Sequence, residues 1–253
     1  MNLSLRQQQI MNEARTQGQV LVDELVRQFE VTPQTIRKDL NELCEMKLLA
    51  RVHGGAVLAS GIANVGYEQR QNMAAGEKQV LAELCATQIP NNASLFINIG
   101  TTTEAVARAL LKHQNLLVVT NNLNVANILI QNPGFEVIVA GGVLRHADRA
   151  IVGEATVDFV RQFKLDYAVV GASALDEAGS LLDYDYREVR VTQAILENAR
   201  ERFLVTDSSK LERSAPVRVA HVSQLTALFM DRLDSPTLSA VCAQQGVAVH
   251  TVH

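Results

Sequence analysis

The stretch of residues 31–56, VTPQTIRKDLNELCEMKLLARVHGGA, decides the fold of the N-terminal part of this chain. Thr32 is a favourable N-cap, and Pro33 takes the first helical position, where its missing N–H leaves no hydrogen bond unmade. Apolar side chains then recur with helical spacing at Ile36, Leu40 and Leu43. This spacing predicts a helix with one buried face.

The opposite face of this predicted helix is polar and basic, with Gln34, Arg37, Lys38 and Asn41. Amides and cations of this kind donate to DNA phosphates and to base edges in the major groove. Together with the cap and the basic HGG turn, this face predicts a DNA-recognition helix. For His53 in the turn, a phosphate contact and a hydrogen bond within the turn are equal alternatives. The predicted DNA contacts are Thr32, Gln34, Thr35, Arg37, Lys38, Asn41, Arg51 and His53.

Two shorter helices are predicted before the recognition helix. Residues 5–16 have apolar positions at Leu5, Ile10 and Ala14, and residues 22–29 repeat the apolar pattern of an amphipathic helix. A tight turn between two short helices is the helix-turn-helix arrangement, in which the second helix enters the groove.

A predicted hairpin completes a winged helix-turn-helix over residues 1–58. Residues 48–51 and 56–58 flank the glycines of the HGG turn, which permit positive φ. Residues 59–76 lack a sustained period and are predicted to be a linker. Residues 77–253 then form a second domain.

Net charge places a condition on DNA binding. The chain of 253 residues has a formal net charge of −4, and its first 58 residues contain seven basic and seven acidic side chains. DNA affinity is therefore expected to depend on a few well-placed cations and on a homo-oligomer, a dimer or a tetramer, that presents more than one recognition helix to the DNA.

The three cysteines lack C-x-x-C spacing, and neither a signal peptide nor an apolar run of ~20 residues is present. A cytoplasmic protein without membrane contact is expected.

From residue 77 onward, helical patterns alternate with short β-rich runs. The runs LFINI, LLVVT, FEVIVA and YAVVG predict an α/β domain with a mostly parallel sheet that helices cover on both faces. Ligands of such sheets bind beyond the carboxyl ends of the strands. Four polar loops follow predicted strands, and we expect them to converge on one site.

Each of the four loops also has an ordinary structural explanation. The GTTT loop of residues 100–103 offers N–H groups and hydroxyls to an anion, but it would serve equally as a helix cap. Asn121 and Asn122 supply an N-cap and a spare amide for a hydroxyl. Arg145, after Gly141 and Gly142, would suit a phosphate or the open surface equally. In the fourth loop, capping would explain Ser208 and Ser209 but not both charges, and Lys210 can supply a point charge to phosphate beside Asp207.

The segments TPQTIRKDLNEL, LLARVHGGA, TNNLNVAN, VIVAGGVLR and LLDYDYREVR resemble the DeoR family of bacterial transcriptional repressors over nearly the whole chain. The resemblance implies operator DNA as partner and a sensor domain related in fold to ribose-5-phosphate isomerases and CoA transferases. It also implies a phosphorylated sugar or polyol as effector, with glycerol 3-phosphate favoured. Thr192 and Leu21 depart from the family pattern, which has lysine and a Ser/Thr cap there. The residues that match the family's effector loops are Gly100, Thr101, Thr102, Thr103, Asn121, Gly141, Gly142, Arg145 and Lys210.

An enzyme is the rival hypothesis, and a scaffold without ligand or DNA would leave the recognition helix unexplained. The isomerases that the sensor domain resembles have a D-G-A-D-E cluster, whereas residues 171–175 here read GASAL. Isomerase chemistry needs a general base at the reacting carbon, so no catalytic residue is predicted. The six histidines show no metal-ligand spacing, and no metal or other cofactor is expected.

Overall fold

The computed structural model describes residues 3–17, 19–46, 48–52, 54–58, 67–72, 74–211 and 213–252. Its N-terminal part contains the three predicted helices and a wing, which confirms the winged helix-turn-helix. The predicted contact at His53 lies outside the described residues. The elements are α1 (Leu5–Gln17), β1 (Gln19–Leu21), α2 (Val22–Phe29), α3 (Pro33–Glu45), β2 (Leu49–Val52) and β3 (Gly55–Leu58).

Local sequence determines where α3 begins. The Thr32 hydroxyl accepts the N–H of Thr35 at 3.3 Å, and Pro33 is the first helical residue. One apolar core joins the three helices to the wing, and it includes the fully buried Ile10, Leu25, Ile36, Leu40 and Leu43. Leu5 is instead 80% exposed, because a spacing of five residues from Ile10 turns it away from the buried face of α1.

The wing has a third strand that the hairpin pattern did not predict. Strand β1 pairs antiparallel with β3, giving the order β1-β3-β2. Gly55 lies opposite Leu21 in this pairing, and the N–H of Val22 donates to the Gly54 carbonyl at 2.8 Å. The wing is therefore fastened to the start of α2, which has no side-chain cap at Leu21.

The second part of the chain is the predicted α/β domain. Seven strands form a wholly parallel sheet in the order β15-β14-β12-β9-β4-β5-β6. The helices are α4 (Tyr67–Asn72), α5 (Ala75–Thr87), α6 (Thr101–Leu110), α7 (Leu123–Leu129), α8 (Glu154–Val160), α9 (Tyr186–Glu197) and α10 (Pro236–Gln245). The strands are β4 (Ser94–Ile97), β5 (Leu117–Thr120), β6 (Glu136–Val139), β7 (Val143–Leu144), β8 (Ile151–Val152), β9 (Leu165–Val170), β10 (Ala174–Leu175), β11 (Ser180–Asp183), β12 (Ala199–Val205), β13 (Val217–His221), β14 (Ala227–Met230) and β15 (Ala248–Thr251).

Alternating side chains of the central strands fill two cores, one on each face of the sheet. In β4, Phe96 belongs to the core that includes α8, α9 and α10. Its neighbours Leu95 and Ile97 belong to the core that includes α5, α6 and α7. A strand buried on both faces reads as a continuous apolar run, which is why LFINI and YAVVG predicted the sheet correctly.

The sequence patterns missed the short elements. Strands β7, β8 and β10 have two residues each, too few to show a period. Helix α4 lies within the predicted linker, and its polar sequence has no apolar period that would have predicted a helix. A tertiary contact holds this helix, because the Tyr67 hydroxyl donates to the buried Glu104 at 2.7 Å. Within the described ranges, no helix has the length and apolar character needed to cross a membrane.

The close approach of β1 and β3 predicts the effect of Gly55→Ala. A Cβ at this position would lie 2.0 Å from the Val20 carbonyl oxygen, so the strands must separate. We expect a loss of about 1–3 kcal/mol in the stability of the N-terminal domain. Urea unfolding, assigned by hydrogen exchange of residues 19–58, measures this loss. The control is Gly76→Ala in α5, where an added Cβ meets no atom within 4 Å; equal stability of the two variants would contradict the prediction.

Candidate functional site

Helix α3 presents a polar, basic face to solvent. Gln34, Arg37, Lys38 and Asn41 are exposed, and their spacing of three and four residues places them on one side of the helix. Among the described residues, none engages these four side chains in a hydrogen bond or an ion pair. The face is therefore free to donate to phosphates or base edges.

Two of the three acidic residues of α3, Asp39 and Glu42, are turned away from this face and held by α1, whereas the third, Glu45, is exposed in the last turn of the helix. The buried Asp39 accepts a hydrogen bond from Arg6 Nε at 2.5 Å, and Glu42 accepts one from Gln7 Nε2 at 2.6 Å. The ion pair with Asp39 also raises the pKa of Arg6. Although the domain is neutral overall, Asp39 is thus neutralised internally and the cations Arg37 and Lys38 remain outside.

The other predicted DNA contacts occupy the edges of this surface. Thr32 is exposed, but its hydroxyl caps α3 and lies 2.9 Å from the hydroxyl of the half-buried Thr35. Arg51 lies half-buried in β2, opposite Ala56 of the wing. For all these residues, contact with DNA stays a prediction.

In the α/β domain, a cavity lies beyond the carboxyl ends of the adjacent strands β4, β9 and β12. Its volume is about 40 Å³. Two of the four predicted loops line it, the GTTT loop after β4 and the Lys210 loop after β12. Parallel strands end at the same edge, so residues more than 100 positions apart meet there.

The GTTT loop has the geometry of an anion site at a helix start. Gly100 has φ +140°, a conformation that favours glycine, and the first backbone bond of α6 runs from the Glu104 N–H to the Gly100 carbonyl at 3.0 Å. The three preceding N–H groups make no bond within the helix. The Thr103 hydroxyl donates to the Asn98 carbonyl at 2.7 Å, and the Thr101 hydroxyl donates to the Arg70 carbonyl at 3.3 Å.

Cations gather around the same cavity. Arg70 and Lys210 line it, and burial, with repulsion from Arg213 and Lys78, lowers the pKa of Lys210 to about 7. Burial likewise lowers the pKa of Lys78, whose Nζ donates to the Arg70 carbonyl, to about 8. Burial is the largest single effect on Asp207 and disfavours its ionisation, but attraction by Lys210, Lys78 and Arg213 and the hydrogen bond from Ser209 together outweigh burial and lower the pKa of Asp207. The buried carboxylate of Asp207 is therefore attracted by three basic side chains, Lys210, Lys78 and Arg213.

The second and third predicted loops lie against each other instead of lining the cavity. Asn121 is buried, and its amide donates to the Ile151 carbonyl at 3.1 Å. A Cβ on Gly142 would lie 2.1 Å from the Thr156 hydroxyl, and that hydroxyl donates to the Gly141 carbonyl at 2.9 Å. These residues build the packing of β7 and β8, and their contact with an effector stays a prediction.

Arg145 is surrounded by carboxylates, and these carboxylates separate its guanidinium from an anion in the cavity. Its guanidinium binds Asp148, Asp185 at 3.0 Å, and Glu188. Asp148 and Glu188 line the cavity themselves, so Arg145 supports its wall. Direct binding of phosphate by Arg145 stays a prediction.

Sequence reasoning missed several cavity residues. Arg70 belongs to α4, within the predicted linker, and lines the cavity. Lys78 does not line it, but this lysine is buried on α5 and repels Lys210. A lysine at an apolar helical position was the one available signal for Lys78. Thr192, where the family pattern has lysine, lines the cavity and accepts a hydrogen bond from Asn98 Nδ2 at 2.7 Å. The described residues contain no cluster of His, Cys, Asp and Glu suited to a metal ion.

Comparison with known proteins agrees with both parts of this geometry. The DeoR-like helix-turn-helix domain matches residues 6–61, and the DeoR C terminal sensor domain matches residues 73–232. The glycerol-3-phosphate regulon repressor of Escherichia coli (strain K12) is 49% identical over 231 residues, which cover 91% of this chain and 92% of that protein. The repressor of the same name from Haemophilus influenzae (strain ATCC 51907 / DSM 11121 / KW20 / Rd) is 50% identical over 229 residues, which cover 90% of this chain and 89% of that protein.

A solved ribose-5-phosphate isomerase in complex with phospho-erythronic acid aligns with a TM-score of 0.40 and 17% identity, covering 54% of each chain. The fold and the two sites define a DNA-binding transcriptional regulator with a sensor domain. The chain belongs to the DeoR family of such regulators. The two repressors that it resembles are regulators and not enzymes.

The lowered lysine pKa values predict that anion binding is linked to protons. At pH 8 Lys210 is largely neutral, and a phosphate monoester in the cavity favours its charged form. Binding at about pH 8 should therefore take up roughly one proton, and affinity should rise as the pH falls toward 6.5. Calorimetry in two buffers of different protonation enthalpy measures the uptake. Lys210→Met should remove most of it, and uptake of no proton by the parent protein would contradict the prediction.

Proposed function

We propose that this protein represses genes of glycerol 3-phosphate metabolism and leaves its operator when glycerol 3-phosphate binds the sensor domain. The principal support is the convergence of the GTTT loop, Arg70 and Lys210 on one cavity. The second support is the identity of about half of the residues with two glycerol-3-phosphate regulon repressors. Phosphate recognition through N–H groups, hydroxyls and cations needs no catalytic carboxylate.

In the DNA complex, α3 lies in the major groove. Gln34 and Asn41 read base edges, while Arg37 and Lys38 bind phosphates or guanines. Thr32, Thr35, Arg51 and His53 supply further contacts at the helix start and the wing. Because a single DNA-binding domain with no net charge binds DNA weakly, the protein binds its operator as a dimer or a tetramer. The protein acts in the cytoplasm, where both the operator and a phosphorylated metabolite are found.

Induction begins with a displacement of cavity residues. A volume of about 40 Å³ holds little more than one water, so a phosphate ester must move part of the wall. Helix α4 is suited to this movement because its Arg70 carbonyl accepts hydrogen bonds from Thr101 and Lys78. An anion competes for both donors. Since residues 59–66 connect α4 to the DNA-binding domain, release of α4 is a route from effector to operator.

A different sugar phosphate is the alternative effector. The cavity residues support a phosphate ester with hydroxyl groups as the effector, and the names of the two similar repressors favour glycerol 3-phosphate among such compounds. Calorimetry with glycerol 3-phosphate and with hexose phosphates separates the two, because the true effector must also weaken operator binding. By reciprocity, operator weakens binding of that effector by the same factor.

Removal of a single cation from α3 should reduce operator binding while effector binding stays intact. Arg37→Ala or Lys38→Ala at a phosphate should weaken all DNA sequences similarly and lower the salt slope by about one. A base contact should instead cost about 1–3 kcal/mol and relax specificity at one position. Fluorescence anisotropy with operator and scrambled duplexes distinguishes these results. The matched controls are Arg161→Ala and Lys164→Ala, exposed cations of the sensor domain; normal operator affinity in both α3 variants would refute this role of α3.

Lys210→Ala should give a repressor that binds operator but no longer responds to glycerol 3-phosphate. Loss of a charge-assisted contact to phosphate costs about 1.5–3 kcal/mol, so effector affinity should fall roughly 10- to 100-fold. Lys112→Ala, which removes an exposed lysine from the same domain, is the control. Operator release is measured by anisotropy during a glycerol 3-phosphate titration. Release of Lys210→Ala at the parental concentration would refute the proposed cavity.

A further inference from the structure

The cavity contains more negative charge than a site for phosphate alone requires. Asp148, Asp183 and Glu188 line it beside the GTTT loop. A carboxylate repels a phosphate dianion unless a cation or a hydrogen-bond donor compensates it. Arg145 binds both Asp148 and Glu188. Within the described ranges, no cation forms an ion pair with Asp183, so its charge is left to be explained.

The hydrogen bonds of Asp183 are made by one of its two oxygens. Oδ1 accepts from the Ser173 hydroxyl at 2.9 Å and from the Tyr184 N–H at 2.7 Å. Oδ2 accepts no hydrogen bond from the part of the chain that the structure describes. Burial raises the pKa of Asp183, and attraction by Arg70 and Lys210 opposes this rise. The carboxylate is thus held in a fixed orientation near the cations, with one acceptor oxygen unused.

We propose that Asp183 recognises the hydroxyl groups of the effector's carbon chain and excludes phosphates that lack them. The inference rests on the proposed function, because it assigns the second half of the same ligand. The phosphate lies toward the GTTT loop and Lys210, and a hydroxyl donates to Asp183 Oδ2. A phosphate without that hydroxyl leaves the carboxylate unpaired beside a dianion, which the site rejects by repulsion.

Such a filter has a clear use in a sensor. The N–H groups and cations of the cavity would accept inorganic phosphate or any simple ester, since they recognise only the charged head. A buried acceptor discriminates strongly between a ligand that supplies a hydroxyl and one that does not, because its own desolvation is compensated only in the first case. Asp183 is therefore a specificity-determining residue.

The test compares two three-carbon phosphate esters that differ only in their hydroxyls, with inorganic phosphate as the charged head alone. Glycerol 3-phosphate, n-propyl phosphate and inorganic phosphate are titrated by calorimetry into the full-length parent protein and into Asp183→Asn. The parent should prefer glycerol 3-phosphate to n-propyl phosphate by roughly 10- to 100-fold. Asp183→Asn should lose most of this preference. Its affinity for n-propyl phosphate and inorganic phosphate should stay the same or rise, because a negative charge has been removed.

A structural role for Asp183 gives a different result, in which all three phosphates bind more weakly and the preference is unchanged. That result would overturn the inference. Asp158→Asn, which removes a surface carboxylate from α8, controls for net charge and should change neither affinity nor preference. Thermal unfolding reports whether the variants fold, and Asp183→Ser provides the same comparison if the asparagine variant does not. Failure of the parent to bind any of the phosphates would overturn the proposed function as well, whereas an unchanged preference overturns only the role of Asp183.

Discussion

Three adjacent parallel strands, β4, β9 and β12, end at one edge of the sheet, and basic side chains are desolvated beside that edge. Burial lowers the pKa of Lys78 and Lys210 far enough that both can lose their charge near neutral pH. Buried cations are stable only with compensating charge, and Asp207 supplies part of it. The sensor domain is therefore built around a region of unfavourable electrostatics that an anion relieves.

In the N-terminal domain, too, a buried charge needs a partner of opposite sign, but here the buried charge is a carboxylate and cations are exposed. Asp39 is buried and paired with Arg6, whereas Arg37 and Lys38 face solvent from the same helix. A neutral domain can thus present a positive surface, since only exposed charges act on DNA over distance. The sensor domain buries basic side chains where they can bind a small anion. The N-terminal domain exposes Arg37 and Lys38 where they can bind DNA.

A ligand changes DNA affinity only to the extent that it binds two conformations unequally. Helix α4 is where such a difference can arise, because its Arg70 carbonyl accepts hydrogen bonds from Thr101 of the GTTT loop and from Lys78, and its Tyr67 hydroxyl donates to Glu104. Helix α4 has six mostly polar residues, so its displacement requires little free energy for exposing apolar surface. The proposed link between effector and operator thus depends on hydrogen bonds that an anion can replace.

The sequence by itself determined the elements whose cause is local or periodic. Thr32 and Pro33 determined the start of α3, the apolar runs predicted β4, β5, β6 and β9, and GTTT marked one wall of the cavity. Tertiary structure decided which loops meet. It placed Asn121 and Gly142 in the packing of β7 and β8, put Arg145 among carboxylates, and brought Arg70 to the cavity from the predicted linker and Asp183 from an acidic run that is also typical of a solvated helix start. The reason is that a pattern records the neighbours of a residue along the chain, while a site depends on which strand ends lie side by side in the folded sheet.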